Sequence, residues 1–366
     1  MTILPFLLAL MITVEDPGAC PVDVRLNHVQ FIGTHNSYKL DITPELAEMI
    51  EQINPGGSKN IRYGHQTITY QLEQIGIRKF ELDVFLDPDG GRFAQPAGAL
   101  ATRESDYIDH PEMLQPGLKV MHAQDVDYRT TCRTFIGCLQ EIYEWSEQNP
   151  HHLPVMVMVE LKEGQPRGED LYRFTPAIPF TEETIYTVDE EILNVFPRNK
   201  LITPDDVRKG EITLEAGLLR YGWPGLNDSR GKILFALDNT GNARNLYLHQ
   251  SDILENRLLF VSSAPGEPSA AFIKMNNSLG DEAEIRERAQ SGYLIRTRSD
   301  IPMTEAPAND HTRKLAAFRS GAQYVSTDFP EPAPSGFTVQ FEGLNSMWRC
   351  NPVTAPEGCM PGCLNE

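Results

Sequence analysis

The sequence predicts an α/β fold, a TIM-type (β/α)8 barrel in a single domain, and three observations predict it. Strand-like runs alternate with helical ones over roughly 300 residues, the pattern left by parallel strands wrapped in helices. Runs such as VMVMVELK and KILFALDN are apolar on both faces, as strands between a core and a helical layer must be. Polar residues collect at the C-terminal ends of these runs, where such a barrel carries its chemistry. A doubly wound open sheet is the competing architecture, but no glycine fingerprint follows the first strand.

The elements follow in chain order. Residues 3–14 form an apolar run too short to span a membrane and suited to the core of a signal peptide, although no Lys or Arg precedes Arg25. Residues 1–19 are therefore expected to be a signal peptide, and the mature chain to be secreted, periplasmic or extracellular without an integral membrane span. VQFIG reads as a short buried strand broken at Gly33. Residues 40–66, with Pro55, Gly56 and Gly57, read as a loop over a site. A helical pattern at 67–76 leads into the strand FELDVF, and residues 90–115 read as another loop. LKVMHAQ makes a third strand ending at His122, and residues 134–149 an amphipathic helix closed by Pro150. VMVMVELK is the fourth strand and KILFALDN the fifth, ending at Asp238; LLFVSS and AFIKMN compete for the sixth. Charged helices over 281–290 and 309–320 precede GYLIRTRSD and QYVSTDF. The barrel is expected over 20–335, with a cysteine-containing tail over 336–366.

Composition narrows the function. A formal charge of -19 and the lack of a basic tract argue against nucleic acid and against non-specific adsorption to anionic lipid. An acidic chain is compatible with a cation held by carboxylates. Six cysteines in local groups suit an oxidising compartment, with Cys132 and Cys138 the preferred pair and the others unassigned. Zinc is disfavoured, since the tail has no paired CxxC and no histidine.

In FELDVF the period of a strand puts Glu81, Asp83 and Phe85 on one face. Two carboxylates side by side resist burial unless a cation lies between them. If the first four strands are neighbours, Asn36, Glu81, Asp83 and Glu160 converge on one cavity with His35 and His122. Carboxylates and an amide oxygen are hard ligands, suited to calcium or magnesium. Two histidines beside them suit proton transfer in opposite directions. Lys162, with Arg296 or Arg298, brings positive charge to an anionic group, and Lys274 with Asp238 is a weaker candidate. A metal, two proton carriers and cations together describe attack at a phosphodiester.

The order His-Asn in GTHNSYK, Glu-x-Asp in FELDVF, His in KVMHAQ and Glu in VMVELK resembles the catalytic barrel of calcium-dependent phosphoinositide-specific phospholipases C. AFIKMN, GYLIRTRSD and GAQYVSTDFP place the resemblance with the compact secreted-type branch, over about residues 22–330. It implies calcium ligands at Asn36, Glu81, Asp83 and Glu160, with magnesium second. It implies His35 and His122 as the catalytic pair, His122 being the choice for general acid on the leaving glycerol oxygen and the base left open. It implies attack of the inositol 2-hydroxyl, release of diacylglycerol and cyclic inositol phosphate, and a phospholipid head group at a membrane surface as partner; a monomer is expected. Related glycerophosphodiester phosphodiesterases share the barrel and a similar Glu-x-Asp, usually with Arg after the first His, so Asn36 favours the phospholipase. An inactive metal-binding barrel is the third reading.

Plainer roles stand beside these. His35 could cap a helix, His122 could be a hydrogen-bonded core residue, and Glu160 could serve only a salt bridge with Lys162. Arg296 and Arg298 could be solvated strand ends. His28, His65, His110, His151, His152, His249 and His311 read as surface residues, and Trp223 as part of a packed turn.

Overall fold

Eleven strands carry the fold in the computed structural model, which describes residues 20–164 and 174–366. The expected signal peptide lies outside the described residues. The strands are β1 (Val29–Thr34), β2 (Lys79–Phe85), β3 (Lys119–Val120), β4 (Val155–Leu161), β5 (Leu201–Ile202) and β6 (Ile233–Leu237), then β7 (Leu259–Val261), β8 (Phe272–Lys274), β9 (Leu294–Arg298), β10 (Tyr324–Thr327) and β11 (Trp348–Cys350). One sheet runs β11-β1-β10-β9-β8 and the other β3-β2-β4-β6-β5, with β7 also on β6. Pairing is parallel except where β3 meets β2 and β11 meets β1.

The two sheets meet along two seams. At one, Ser262 after β7 bridges Phe272 of β8 in parallel, and Ser263 N donates to Phe272 O at 3.1 Å. At the other, β1 and β2 lie side by side without a ladder, joined by Ser37 N to Glu81 O at 2.9 Å and Glu81 N to Ser37 Oγ at 2.8 Å. Gly33 permits this approach, because a Cβ there would stand 2.4 Å from Lys79 Cβ. The parallel strands thus follow the order β1-β2-β4-β6-β7-β8-β9-β10 and return to β1, the expected barrel in the form of two sheets.

Several expectations change. LKVMHAQ supplies only the two-residue β3, an antiparallel edge on β2 and not a barrel strand; Val84 pairs with Val120, and the chain then turns back on itself through Ala123 and Asp127. LLFVSS and AFIKMN both supply strands, β7 and β8. The expected loop over 40–66 contains the helix Pro44–Ile53, started by Thr43, whose Oγ1 accepts from Leu46 N at 3.2 Å, with Pro44 in its first turn. Its Leu46, Ala47, Met49, Ile50 and Ile53 are buried on one face. At about 1.5–3 kcal/mol for each large apolar side chain fully removed from water, that face and not helix propensity holds the segment down. It packs with Phe85, Phe93, Ala99, Met113, Met121 and Tyr128 into a second core beside the mouth of the barrel. The expected loop over 90–115 contributes the short helix Ala97–Thr102 to that core.

The tail is stitched to the opposite end. β11 pairs with β1, Cys350 bonds Cys359, and Cys363 bonds Cys20. Glu366 accepts from Arg78 Nε and Leu153 N, each at 2.7 Å, while the Arg78 guanidinium lies 4.4 Å from the Trp145 ring and 5.1 Å from that of Trp348. Cys132 and Cys138 are paired, as expected. Trp223 is buried and donates to Gly292 O at 3.0 Å, a packed turn. His152 is buried too, contrary to expectation, between Ser146 Oγ at 2.8 Å and Leu153 O at 2.6 Å. Among the described residues no helix is long and apolar enough to cross a membrane.

Candidate functional site

The pleat of β2 turns Lys79, Glu81 and Asp83 to the inside, where all three are buried. The parallel register sets Asp83 opposite Glu160 of β4, and Lys162 follows two residues later on the same side. Lys162 Nζ lies 3.1 Å from Asp83 Oδ2 and 3.3 Å from Glu160 Oε1. Its contact with Asp83 is ionic only, for neither Asp83 oxygen accepts a hydrogen bond, although both are buried. Burial pushes the Asp83 carboxyl up to about 7, against the pull of Lys162.

Glu81 is held differently. Its Oε2 accepts from Lys79 Nζ at 2.8 Å and from Arg296 Nη2 at 2.6 Å. Burial opposes its charge, yet Arg296 and Lys79 hold its pKa well below the usual carboxylate range. Burial in turn lowers Lys79 to about 8. Arg296 is buried, and its other donors go to Ser326 Oγ at 2.9 Å and to Asn276. Its guanidinium braces Glu81 and is not the solvated strand end of the plainer reading.

His35 follows β1, and its N–H donates to Thr327 O at 2.9 Å. The side chain stands between acid and base partners: Nδ1 is 2.7 Å from Asp328 Oδ1, Nε2 is 3.1 Å from Arg298 Nη1 and 3.4 Å from Glu81 Oε1. Arginine can only donate, so Nε2 is the acceptor and Nδ1 carries the proton toward Asp328. Burial, then Arg298, drives the His35 pKa well below its ordinary value and keeps the ring neutral. Arg298 Nη2 also reaches Asp328 Oδ2 at 3.0 Å.

Asn36 occupies the left-handed region at φ 46, which asparagine tolerates. Its amide nitrogen donates to Tyr63 Oη at 2.8 Å, and its Oδ1 is buried with no partner. His122, beyond β3, is about a third exposed; its Nδ1 is 2.7 Å from Asp127 Oδ2, and Asp127 Oδ1 is 3.2 Å from Lys39 Nζ. Lys274 pairs with Asp238 at 2.7 Å across the ends of β8 and β6.

The geometry thus brings His35, Asn36, Glu81, Asp83, Glu160, Lys162 and Arg298 to one mouth, with His122 beside it and Lys274 engaged by Asp238. Sequence reasoning missed Asp328, although it ends QYVSTDF as other acids end their strands. It missed Lys79, which the period of β2 places with Glu81, and Asp127, for which the sequence carries no signal. Tyr63 and His65 were also missed. His65, expected at the surface, is buried with Nε2 2.8 Å from His35 O, and burial lowers it to about 4.

Among the described residues no three His, Cys, Asp or Glu side chains form a ready-made metal cluster. The buried Asn36 Oδ1 and both Asp83 oxygens nonetheless accept no hydrogen bond, Lys162 meeting Asp83 only as an ion, and all of them, like the neighbouring Glu160, are hard donors. Such oxygens cost free energy when left unpaired, and a hard divalent cation is the partner that fits them.

The family model for Ca2+-dependent phosphoinositide phospholipase C matches residues 24–352 of the chain. A calcium-dependent phosphoinositol-specific phospholipase C from the Gram-negative bacterium Pseudomonas sp, in its apo form, has a similar structure, with TM-score 0.55 and 18% identity over 92% of this chain and 97% of that one. The structure of that protein described as a myoinositol complex gives 0.54 and 19% over the same shares. A Ca2+-dependent phosphatidylinositol-specific phospholipase C from Streptomyces antibioticus gives 0.53 and 17%, covering 84% of this chain and 95% of that one. At these identities the likeness is one of fold. No curated protein matches the chain.

Proposed function

Since the chain belongs to the Ca2+-dependent phosphoinositide phospholipase C family, whose members are phosphodiesterases, we propose that it cleaves phosphatidylinositol-type lipids to diacylglycerol and a cyclic inositol phosphate. The observation that carries this is the pair of histidines, each backed by an aspartate, beside buried oxygens of Asn36 and Asp83 that accept no hydrogen bond. Asn36, Asp83, Glu160 and Glu81 would hold the calcium. When bound, it supplies positive charge that lowers the pKa of the attacking hydroxyl and neutralises charge developing on the phosphate.

The chain's own groups divide the remaining work. His35, neutral and with Nε2 as its acceptor, takes the proton of the inositol 2-hydroxyl as that oxygen attacks phosphorus, the hydroxyl replacing Arg298 at Nε2. Asp328 fixes the ring so that Nδ1 keeps its hydrogen. His122 gives a proton to the glycerol oxygen as the phosphorus–oxygen bond breaks, and Asp127, whose Oδ2 lies 2.7 Å from its Nδ1, orients the ring for that transfer. Arg298 and Lys162 meet the anionic phosphate.

The test is phosphorus NMR of phosphatidylinositol dispersions with purified protein, calcium, then chelator, and His35→Ala as control. Calcium-dependent appearance of cyclic inositol phosphate, absent in the variant, is expected. Hydrolysis of glycerophosphodiesters alone would overturn the assignment in favour of a glycerophosphodiesterase on the same barrel. Calcium binding without turnover of either would leave a binding protein.

A further inference from the structure

A hollow of about 160 Å³ lies between the helix Pro44–Ile53 and the turn after β3. Ile50, Ile53, Ile61 and Val126 form its apolar wall, and His122 and Asp127 stand at its edge. The same histidine therefore faces both the reacting centre and an apolar recess. One buried residue fixes the two sides of that recess. Lys39 Nζ donates to Ile61 O at 2.7 Å and Tyr63 O at 3.0 Å, and pairs at 3.2 Å with Asp127, the carboxylate that orients His122. The recess is thus preformed and keyed to the position of the acid.

A group that receives His122's proton is by definition on the leaving side of the phosphate. A soluble leaving group such as glycerol offers hydroxyls, which an aliphatic wall cannot satisfy. A lipid leaving group offers methylenes, for which this wall is matched. At a water-sized share of about 30 Å³ each, the hollow holds about five such groups, a fraction of one acyl chain. We propose that this recess receives the first methylenes of one acyl chain of the leaving diacylglycerol, and that Ile61 and Val126 set the preference for lipid over soluble diesters. This rests on the phosphoinositide reading above.

The test compares short-chain, monodisperse dihexanoyl phosphatidylinositol with the methyl diester of inositol phosphate, which has no chain, in the full-length protein and in Ile61→Ser. The ratio of kcat/KM for the two is expected to fall about tenfold or more, the discrimination that a methylene or two supplies in an apolar pocket. Val126→Phe, which fills the recess without adding a polar group, should move the ratio in the same direction. An unchanged ratio in both variants overturns the proposal. Calorimetric titration with dihexanoylglycerol gives a readout free of turnover: affinity should drop about tenfold in Ile61→Ser. If the wild-type protein turns over neither diester, the phospholipase reading fails. Dihexanoylglycerol binding that Ile61→Ser weakens then still marks the recess as an alkyl-chain site, while no binding removes it.

Discussion

Replacing Arg296 by methionine asks whether this residue binds substrate or builds the site. The guanidinium is buried and gives a 2.6 Å charge-assisted bond to Glu81, a 2.9 Å bond to Ser326 and a third contact to Asn276. Methionine fills much of the volume but leaves Glu81 with Lys79 as its one directly bonded cation. Removing one partner of a buried pair costs about 3–5 kcal/mol. An unfolding entropy of roughly 2.1 cal/mol/K per residue gives the 366-residue chain about 0.8 kcal/mol/K, so Tm should drop by about 4–6 °C. The Glu81 pKa should rise in the same variant, because Arg296 is the strongest cation acting on it. Scanning calorimetry of Arg296→Met and of the charge-retaining Arg296→Lys measures this, with Lys expected to recover part of the loss. A stability change below about 1 kcal/mol accompanied by a large rise in KM would refute the reasoning and return Arg296 to the substrate.

Three further outcomes are expected. Asp127→Asn should lower kcat about a hundredfold with little change in KM, because His122 loses the carboxylate that orients its ring at 2.7 Å; a kcat equal to wild type would remove Asp127 from the mechanism. Calcium at a hundred times its dissociation constant should stabilise the wild-type protein by about 2.7 kcal/mol, a gain that Asp83→Asn should largely abolish in a thermal shift assay; an equal shift in both would place the ion elsewhere. Burial raises Glu191, whose Oε1 accepts from Leu118 N, from 4.5 up to about 7. Its folded-state pKa is raised, so between pH 4.5 and about 7 the native state binds more protons than the unfolded chain. Its contribution is complete below pH 4.5 and is lost as pH rises to about 7. Urea unfolding across that range should show the decline in the wild type and a flatter curve in Glu191→Gln.

What the sequence disclosed depended on whether a residue's role followed from local period. The two-residue alternation in FELDVF is enough to align Glu81 with Asp83, and strand-end position found His35, Asn36, Glu160 and Arg298. The same rule applied to QYVSTDF would have found Asp328. Asp127 and Lys39 escaped because their partnership is made by the turn after β3 and the excursion after β1, whose contacts no period records. LKVMHAQ misled because an apolar run gives no direction: β3 is as apolar as a barrel strand yet lies antiparallel on the edge of β2. The helix Pro44–Ile53 was obscured by Pro55, Gly56 and Gly57, which end it and do not describe it. Arg296 shows the opposite failure, since its place at a strand end was legible and its consumption by Glu81 was not.

The bond between Cys20 and Cys363, 343 positions apart, closes the chain between them into a covalent ring. A protease that cuts once at any surface loop inside that ring opens it without releasing a fragment. Nicked molecules would keep their mass under non-reducing conditions and separate only after reduction. The ring also carries both seams of the barrel, so an opened chain can still close around its site while it remains tied at the base.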